Sequence, residues 1–95
     1  MIIQKITFRS ELPEETILKI ARERKPQFEA LPGLIQKYYF KPAEEKHSGG
    51  LYIWDSMESM MAYKNSELAA SIPKAYGIEG MPNIEILDVF FQLRD

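Results

Sequence analysis

The chain has 95 residues, a formal net charge of -2 and a pI near 5.4, with 45% hydrophobic and 27% charged residues. Those proportions belong to one small globular domain, residues 1–95, and a chain this short buries a limited share of its surface when it folds alone. The mild acidity excludes a broad field for nucleic acid, the lack of cysteine excludes disulfides and thiolate chemistry, and no apolar run approaches the ~20 residues that span a bilayer.

Ile2 to Phe8 mixes β-branched and aromatic residues with single polar ones, which predicts a strand ending at Arg9-Ser10-Glu11. Met1-Ile2-Ile3 runs straight into Gln4 and Lys5, so the beginning lacks a signal-peptide core and a cytoplasmic location is the default expectation. Pro13 fits the first turn of a helix, and Glu14 and Glu15 suit the positive end of its dipole. Ile17, Ile20, Ala21, Phe28 and Leu31 follow helical spacing as one buried stripe. Pro26 removes a backbone donor, so a kink or short break is expected near Arg22 to Lys25. The basic cluster Arg22, Arg24, Lys25 is answered by Glu14, Glu15, Glu23 and Glu29 and reads as a solvated helix face. Leu31-Pro32-Gly33-Leu34 ends the helix, because glycine accepts the left-handed conformation common just past a helix terminus.

Leu34 to Phe40 predicts a second strand closed by Lys41-Pro42. A polar stretch, Ala43 to Ser48, carries the single histidine, and Gly49-Gly50 leads into a third strand, Leu51 to Trp54, as a hairpin with a long tip. Asp55 or Ser56 can cap a helix, with Glu58 completing a capping box. Met57, Met60, Met61 and Lys64 share one side of it, the methionines as core filler. Asn65-Ser66 marks a break, Ser66 caps a further piece to Tyr76, and Gly77 stops it. Ile78 to Asn83 reads as a loop, and Ile84 to Leu93 as a long final strand with apolar residues at both parities.

The order β-α-β-β-α-β predicts an α+β, ferredoxin-like domain: a four-stranded antiparallel sheet with its helices on one face. Both sheet faces carry apolar residues, so the uncovered one would exceed the patch a monomer usually exposes. Hiding ~600 Å² per subunit is worth roughly 15 kcal/mol before association costs. The expectation is a two-fold homodimer with its sheets packed face to face.

The run Leu31-Pro32-Gly33-Leu34 into Lys37-Tyr38-Tyr39, then Gly49-Gly50-Leu51-Tyr52-Ile53-Trp54, then Ala62-Tyr63, resembles the YdhR-like monooxygenases of the dimeric α+β barrel superfamily, which includes the antibiotic-biosynthesis monooxygenases. The resemblance implies oxygen insertion into a small aromatic or polycyclic substrate without metal, flavin or haem, and the expected compound is phenolic or quinol-like. An electron-rich phenolate reduces dioxygen itself, so the protein has only to bind, orient, deprotonate and shield it. The resemblance also implies a pocket between the helices and the sheet, and it carries over no fixed catalytic set.

Among the residues themselves, His47 is the catalytic candidate, because imidazole is a ready base near neutrality; its bland alternative is a solvated loop residue. Trp54, Tyr52, Tyr38, Tyr39 and Tyr63 are the candidate aromatic lining, with core and dimer packing as the alternative. Lys37 can attract an anionic substrate or serve edge solubility. A metal site is not expected, since no second histidine accompanies His47. Two rivals to the oxygenase remain: a non-catalytic module that binds a small metabolite, and an isomerase or lyase on the same scaffold.

Overall fold

A computed structural model describes residues 1–95. The elements are β1 (Ile2–Ser10), α1 (Glu14–Glu29), β2 (Leu34–Phe40), β3 (His47–Trp54), α2 (Met57–Lys64), α3 (Glu67–Ala75) and β4 (Ile78–Asp88). The strands form one antiparallel sheet in the order β2-β3-β1-β4. This is the ferredoxin-like α+β fold, with the second helical region split into two rods.

Two serines make that split. The Ser59 amide donates to Ser56 Oγ at 3.2 Å at the start of α2, and the Ala69 amide donates to Ser66 Oγ at 3.2 Å at the start of α3. Asp55 is not the cap; its carboxylate accepts from the Ser59 hydroxyl at 2.7 Å. Gly33, with φ of 80°, sits against this corner, where a Cβ would come within 2.6 Å of Asp55 Oδ1 and collide with Ser59. Only glycine permits both that backbone angle and that approach.

The structure departs from the sequence reading in four places. α1 runs unbroken through Pro26. A proline this near the C-terminal end forfeits one bond, to the Arg22 carbonyl, and Arg22 is exposed so that water can meet it. β3 begins at His47 rather than Leu51, which places the histidine in the ladder opposite Arg9. β4 begins at Ile78 and ends at Asp88: it is an edge strand, where Pro82 deprives no neighbour of a donor. Its register slips between the pairs Arg9–Glu79 and Thr7–Asn83, and the extra residues include Gly80 at φ of 70°. Of the helical methionines only Met60 is fully enclosed, whereas Met57 and Met61 are exposed.

The pairings sort the side chains by face. Ile2, Gln4, Ile6 and Phe8 of β1, Gly50, Tyr52 and Trp54 of β3, and Lys37 and Tyr39 of β2 point toward the helices. Ile2, Tyr52 and Trp54 join Phe28, Met60 and Tyr63 in the main core, and Phe8, Ala21 and Tyr76 form a smaller one. The other face is graded rather than apolar throughout. Its rows run from Leu87-Ile3-Ile53-Gln36, through Glu85-Lys5-Leu51-Tyr38 and Asn83-Thr7-Gly49-Phe40, to Glu79-Arg9-His47.

Candidate functional site

The helices leave a cavity of about 410 Å³ above the centre of the sheet. Gln4, Ile6 and Phe8 from β1, with Gly50 and Tyr52 from β3, form its floor; Ile17, Ala21, Tyr63, Ile72 and Tyr76 from the helices form its roof. Lys37 and Tyr39 of β2 close one side. The lining is mainly apolar with a few convergent polar groups, the composition of a small-molecule site.

Lys37 is the chemically distinctive member. Its Nζ lies 3.6 Å from the ring centroid of Phe28, 4.4 Å from that of Tyr39 and 4.5 Å from that of Tyr52. Gly50 leaves the room: a Cβ there would stand 3.1 Å from Lys37 Cε and 3.3 Å from the Tyr52 ring. The ion pairs of the protein are formed by other residues, and no carboxylate is paired with Lys37. Burial pulls its ammonium down to about 7, and the nearby Arg24 charge pushes in the same direction. The ring faces act the opposite way, since they favour a cation, and so they anchor the nitrogen while burial sets its proton affinity.

Arg24 reaches from α1 to α3, where it donates through Nη2 to the Ser71 hydroxyl, and its Nε is buried with no partner. A buried donor of this kind costs about 1–3 kcal/mol until an acceptor meets it. The hydroxyls of Tyr52 and Tyr63 lie 3.2 Å apart, and the Tyr52 ring stacks parallel to Trp54 at 6.1 Å. Trp54 Nε1 donates to Gln4 Oε1 at 3.0 Å, which fixes the indole beneath the site. Burial raises Tyr52 far above the ordinary phenol range, raises Tyr63 and Tyr39, and pushes Tyr76 up to about 12. All four are therefore neutral hydrogen-bonding groups at pH 7, whereas Lys37 exchanges its proton there.

Of the residues singled out from the sequence, Lys37, Tyr39, Tyr52 and Tyr63 meet at the cavity. Trp54 is wholly enclosed behind Tyr52 and does not reach it. Tyr38 alternates to the opposite face, and so does His47. The imidazole Nδ1 lies 2.8 Å from the Glu45 carbonyl oxygen and Nε2 lies 3.7 Å from the Glu44 carboxylate, away from the cavity. Sequence reasoning passed over Gln4, Phe28, Arg24 and Tyr76. The period-two run Ile2-Gln4-Ile6-Phe8 was the available signal for Gln4, a lone amide on an otherwise apolar face. Nothing in the sequence separates Arg24 from Arg22.

A second cleft, of about 350 Å³, opens on the outer side of Lys37 and Tyr39 and is bordered by Lys25, Phe28, Glu29 and Gln36. Lys37 thus stands in the wall between cavity and solvent. No group of three or more His, Cys, Asp or Glu side chains is placed to hold a metal ion, and no helix is long and apolar enough to cross a membrane.

A family profile described as "Putative mono-oxygenase ydhR" matches residues 3–91. No curated protein matches the sequence. Among solved structures, a protein of unknown function from Nitrosomonas europaea, NE2512, superposes with a TM-score of 0.78 at 15% identity, over 99% of this chain and 93% of that one. SnoaB, described as a cofactor-independent oxygenase from Streptomyces nogalater, gives a TM-score of 0.77 at 7% identity, over 99% and 97%. A protein from Deinococcus radiodurans described as a "putative antibiotic biosynthesis monooxygenase" gives 0.75 at 12% identity, over 100% and 98%. At these identities the structural likeness is one of fold.

Proposed function

The chain belongs to the ydhR mono-oxygenase family, its profile spanning residues 3–91, and from that premise we propose that it is a cofactor-independent monooxygenase of a small phenolic or quinol-like compound. The observation that carries this reading is the Lys37 amine, unpaired and held at a proton affinity of about 7 in the wall of an apolar cavity. Neutral Lys37 takes the phenolic proton, and the phenolate then reduces dioxygen. One oxygen atom replaces a ring C–H as a carbonyl, the other leaves as water, and the substrate supplies all the electrons. The ammonium formed on Lys37 stabilises the phenolate, and the Tyr52 and Tyr63 hydroxyls orient the ring. The proton then leaves through the outer cleft that Lys37 also borders.

An oxygen electrode with a panel of hydroquinones tests this. Wild-type protein accelerates uptake, and Lys37→Met lowers the acceleration by about 100-fold, the usual scale for a general base. Uptake that is the same with and without protein across the panel refutes the proposal.

The proposed working unit is a homodimer. The apolar end of the open sheet face, with Tyr38 and Leu87 exposed, and the residues Phe90, Phe91 and Leu93 beyond β4, at 100%, 82% and 82% exposed, support it. Exposed apolar surface at both edges of the sheet is more than scattered single residues and fits a second copy. Light scattering at micromolar concentration gives a mass twice that of the chain; a monomer mass rejects this assembly.

A further inference from the structure

The nitrogen that can take a proton can also attack carbon. A lysine becomes a carbonyl-trapping nucleophile when it is unprotonated, free of a carboxylate partner and sheltered from water. Lys37 has no carboxylate partner and is half-buried, and burial together with the Arg24 charge moves it toward the neutral amine against the opposing pull of the ring faces. Phe28, Tyr39 and Tyr52 hold Nζ from three sides, Gly50 leaves space for the aliphatic stem, and the side chain borders the cavity and the outer cleft at once. The charged and titratable groups that share its cavity or cleft, or act on it, are Glu14, Arg24, Lys25 and Glu29 from α1, Tyr39 from its own strand, Lys41 just beyond it, Tyr52 from β3, Tyr63 and Lys64 from α2 and Tyr76 just past α3. Glu29 acts on Tyr39, and the tyrosines are neutral at pH 7, so no fixed anion pins Lys37 as an ammonium.

We propose that Lys37 forms a Schiff base with aromatic and other apolar aldehydes and ketones that enter the cavity. The Nζ lone pair forms a bond to the carbonyl carbon while the carbonyl π electrons move to oxygen. The resulting carbinolamine then loses its oxygen as water, carrying both nitrogen protons, and leaves a C=N bond. No oxidant or reductant is consumed. This carbonyl capture is independent of oxygen chemistry, since it requires the amine and the cavity alone.

Reductive trapping tests it on the full chain. Benzaldehyde or acetophenone is added with cyanoborohydride at pH 7, the hydride converts any imine to a stable secondary amine, and intact-mass and peptide analysis locate the product. An ordinary lysine, with pKa ~10.4, is only ~0.04% unprotonated at pH 7, whereas one near 7 is about half unprotonated. The expected result is one dominant adduct on Lys37, heavier by the probe's mass less one oxygen atom and formed at least tenfold faster than on any other lysine. The α-amino group of Met1 also reacts near this pH and is separated by peptide mapping. Labelling of Lys37 levels off a little above pH 7 while the other lysines continue to climb, and Lys37→Arg removes the adduct. Even labelling over the surface lysines, or a Lys37 profile that rises in step with theirs, overturns the proposal. The wild-type map decides the matter even where the variant folds poorly. Trapping without oxygen uptake upholds the amine chemistry and rejects the oxygenase; uptake without trapping does the reverse.

Discussion

The covered and open faces of the sheet are built from alternate residues of the same strands, yet they use polar groups in opposite ways. On the covered face each polar side chain has a set place: Gln4 accepts from Trp54, Tyr52 meets Tyr63, and Lys37 lies among three rings. On and beside the open face the charges pair at the surface, Arg9 with Glu79 at 3.2 Å and with Glu11 at 2.9 Å, and Lys46 with Glu11 at 2.8 Å. Exposed pairs of that kind contribute about 0–1 kcal/mol. A buried polar group, in a low dielectric, shifts both stability and proton affinity far more. Period-two alternation thus separates a chemical site from a solvated or associating surface within a single layer.

The largest effect that tests the contrast is expected at Trp54. Trp54→Ala removes the indole stacked under Tyr52 and leaves the Gln4 amide without its donor. The loss should be about 3–5 kcal/mol, a drop of tens of degrees in melting temperature at about 4–8 °C per kcal/mol for a chain of this size. A fall of a few degrees in a thermal melt means that the covered face is packed no more tightly than the open one.

Lys37 comes next, and its effect has a sign. Below pH 7 the ammonium is present in folded and unfolded chains alike, and the folded state bears its full burial penalty. Between about 7 and the ordinary lysine range near 10.4 the unfolded chain keeps a proton that the folded chain has released. Unfolded protein therefore binds more protons in that window, and stability rises with pH through it. Lys37→Met lacks this contribution, so its stability relative to wild type is greatest near pH 6 and declines by roughly 2–4 kcal/mol toward pH 10, after allowance for the ring faces. Denaturant midpoints at the two pH values measure it, and a constant difference means that burial does not perturb this amine.

How far the sequence discloses the site depends on what kind of signal each residue carries. The strands, the helix caps at Ser56 and Ser66, and the turns at Gly33 and Gly77 follow from local pattern and backbone chemistry, and the structure contains them. Pro26 and Pro82 mislead for a physical reason. Proline's local penalty is real, but a helix near its end and an edge strand each tolerate one missing donor. The bulge in β2, where Leu34 and Gln36 pair with Trp54 and Ile53, sets which of Lys37, Tyr38 and Tyr39 turn toward the helices. A residue count cannot supply that register. The low proton affinity of Lys37 arises from burial under other elements and from the Arg24 charge on α1, so no local window contains it.

The smallest effect is expected at His47, and its smallness is informative. Histidine draws attention as a residue type because it titrates near neutrality, but catalysis requires a base within reach of the proton it removes. The imidazole of His47 lies on the open face beside the Glu45 carbonyl, whereas the cavity is on the covered face with Lys37 in its wall. His47→Ala removes one hydrogen bond at a strand entrance, which is worth about 0.5–1.5 kcal/mol when fully formed and less where water competes. Oxygen uptake and carbonyl trapping should both stay within about twofold of wild type, against the general-base loss expected at Lys37, for which the usual range is ~100-fold or more. A comparable loss at His47 places the reacting proton on the open face and transfers the chemistry from the cavity to the surface opposite it.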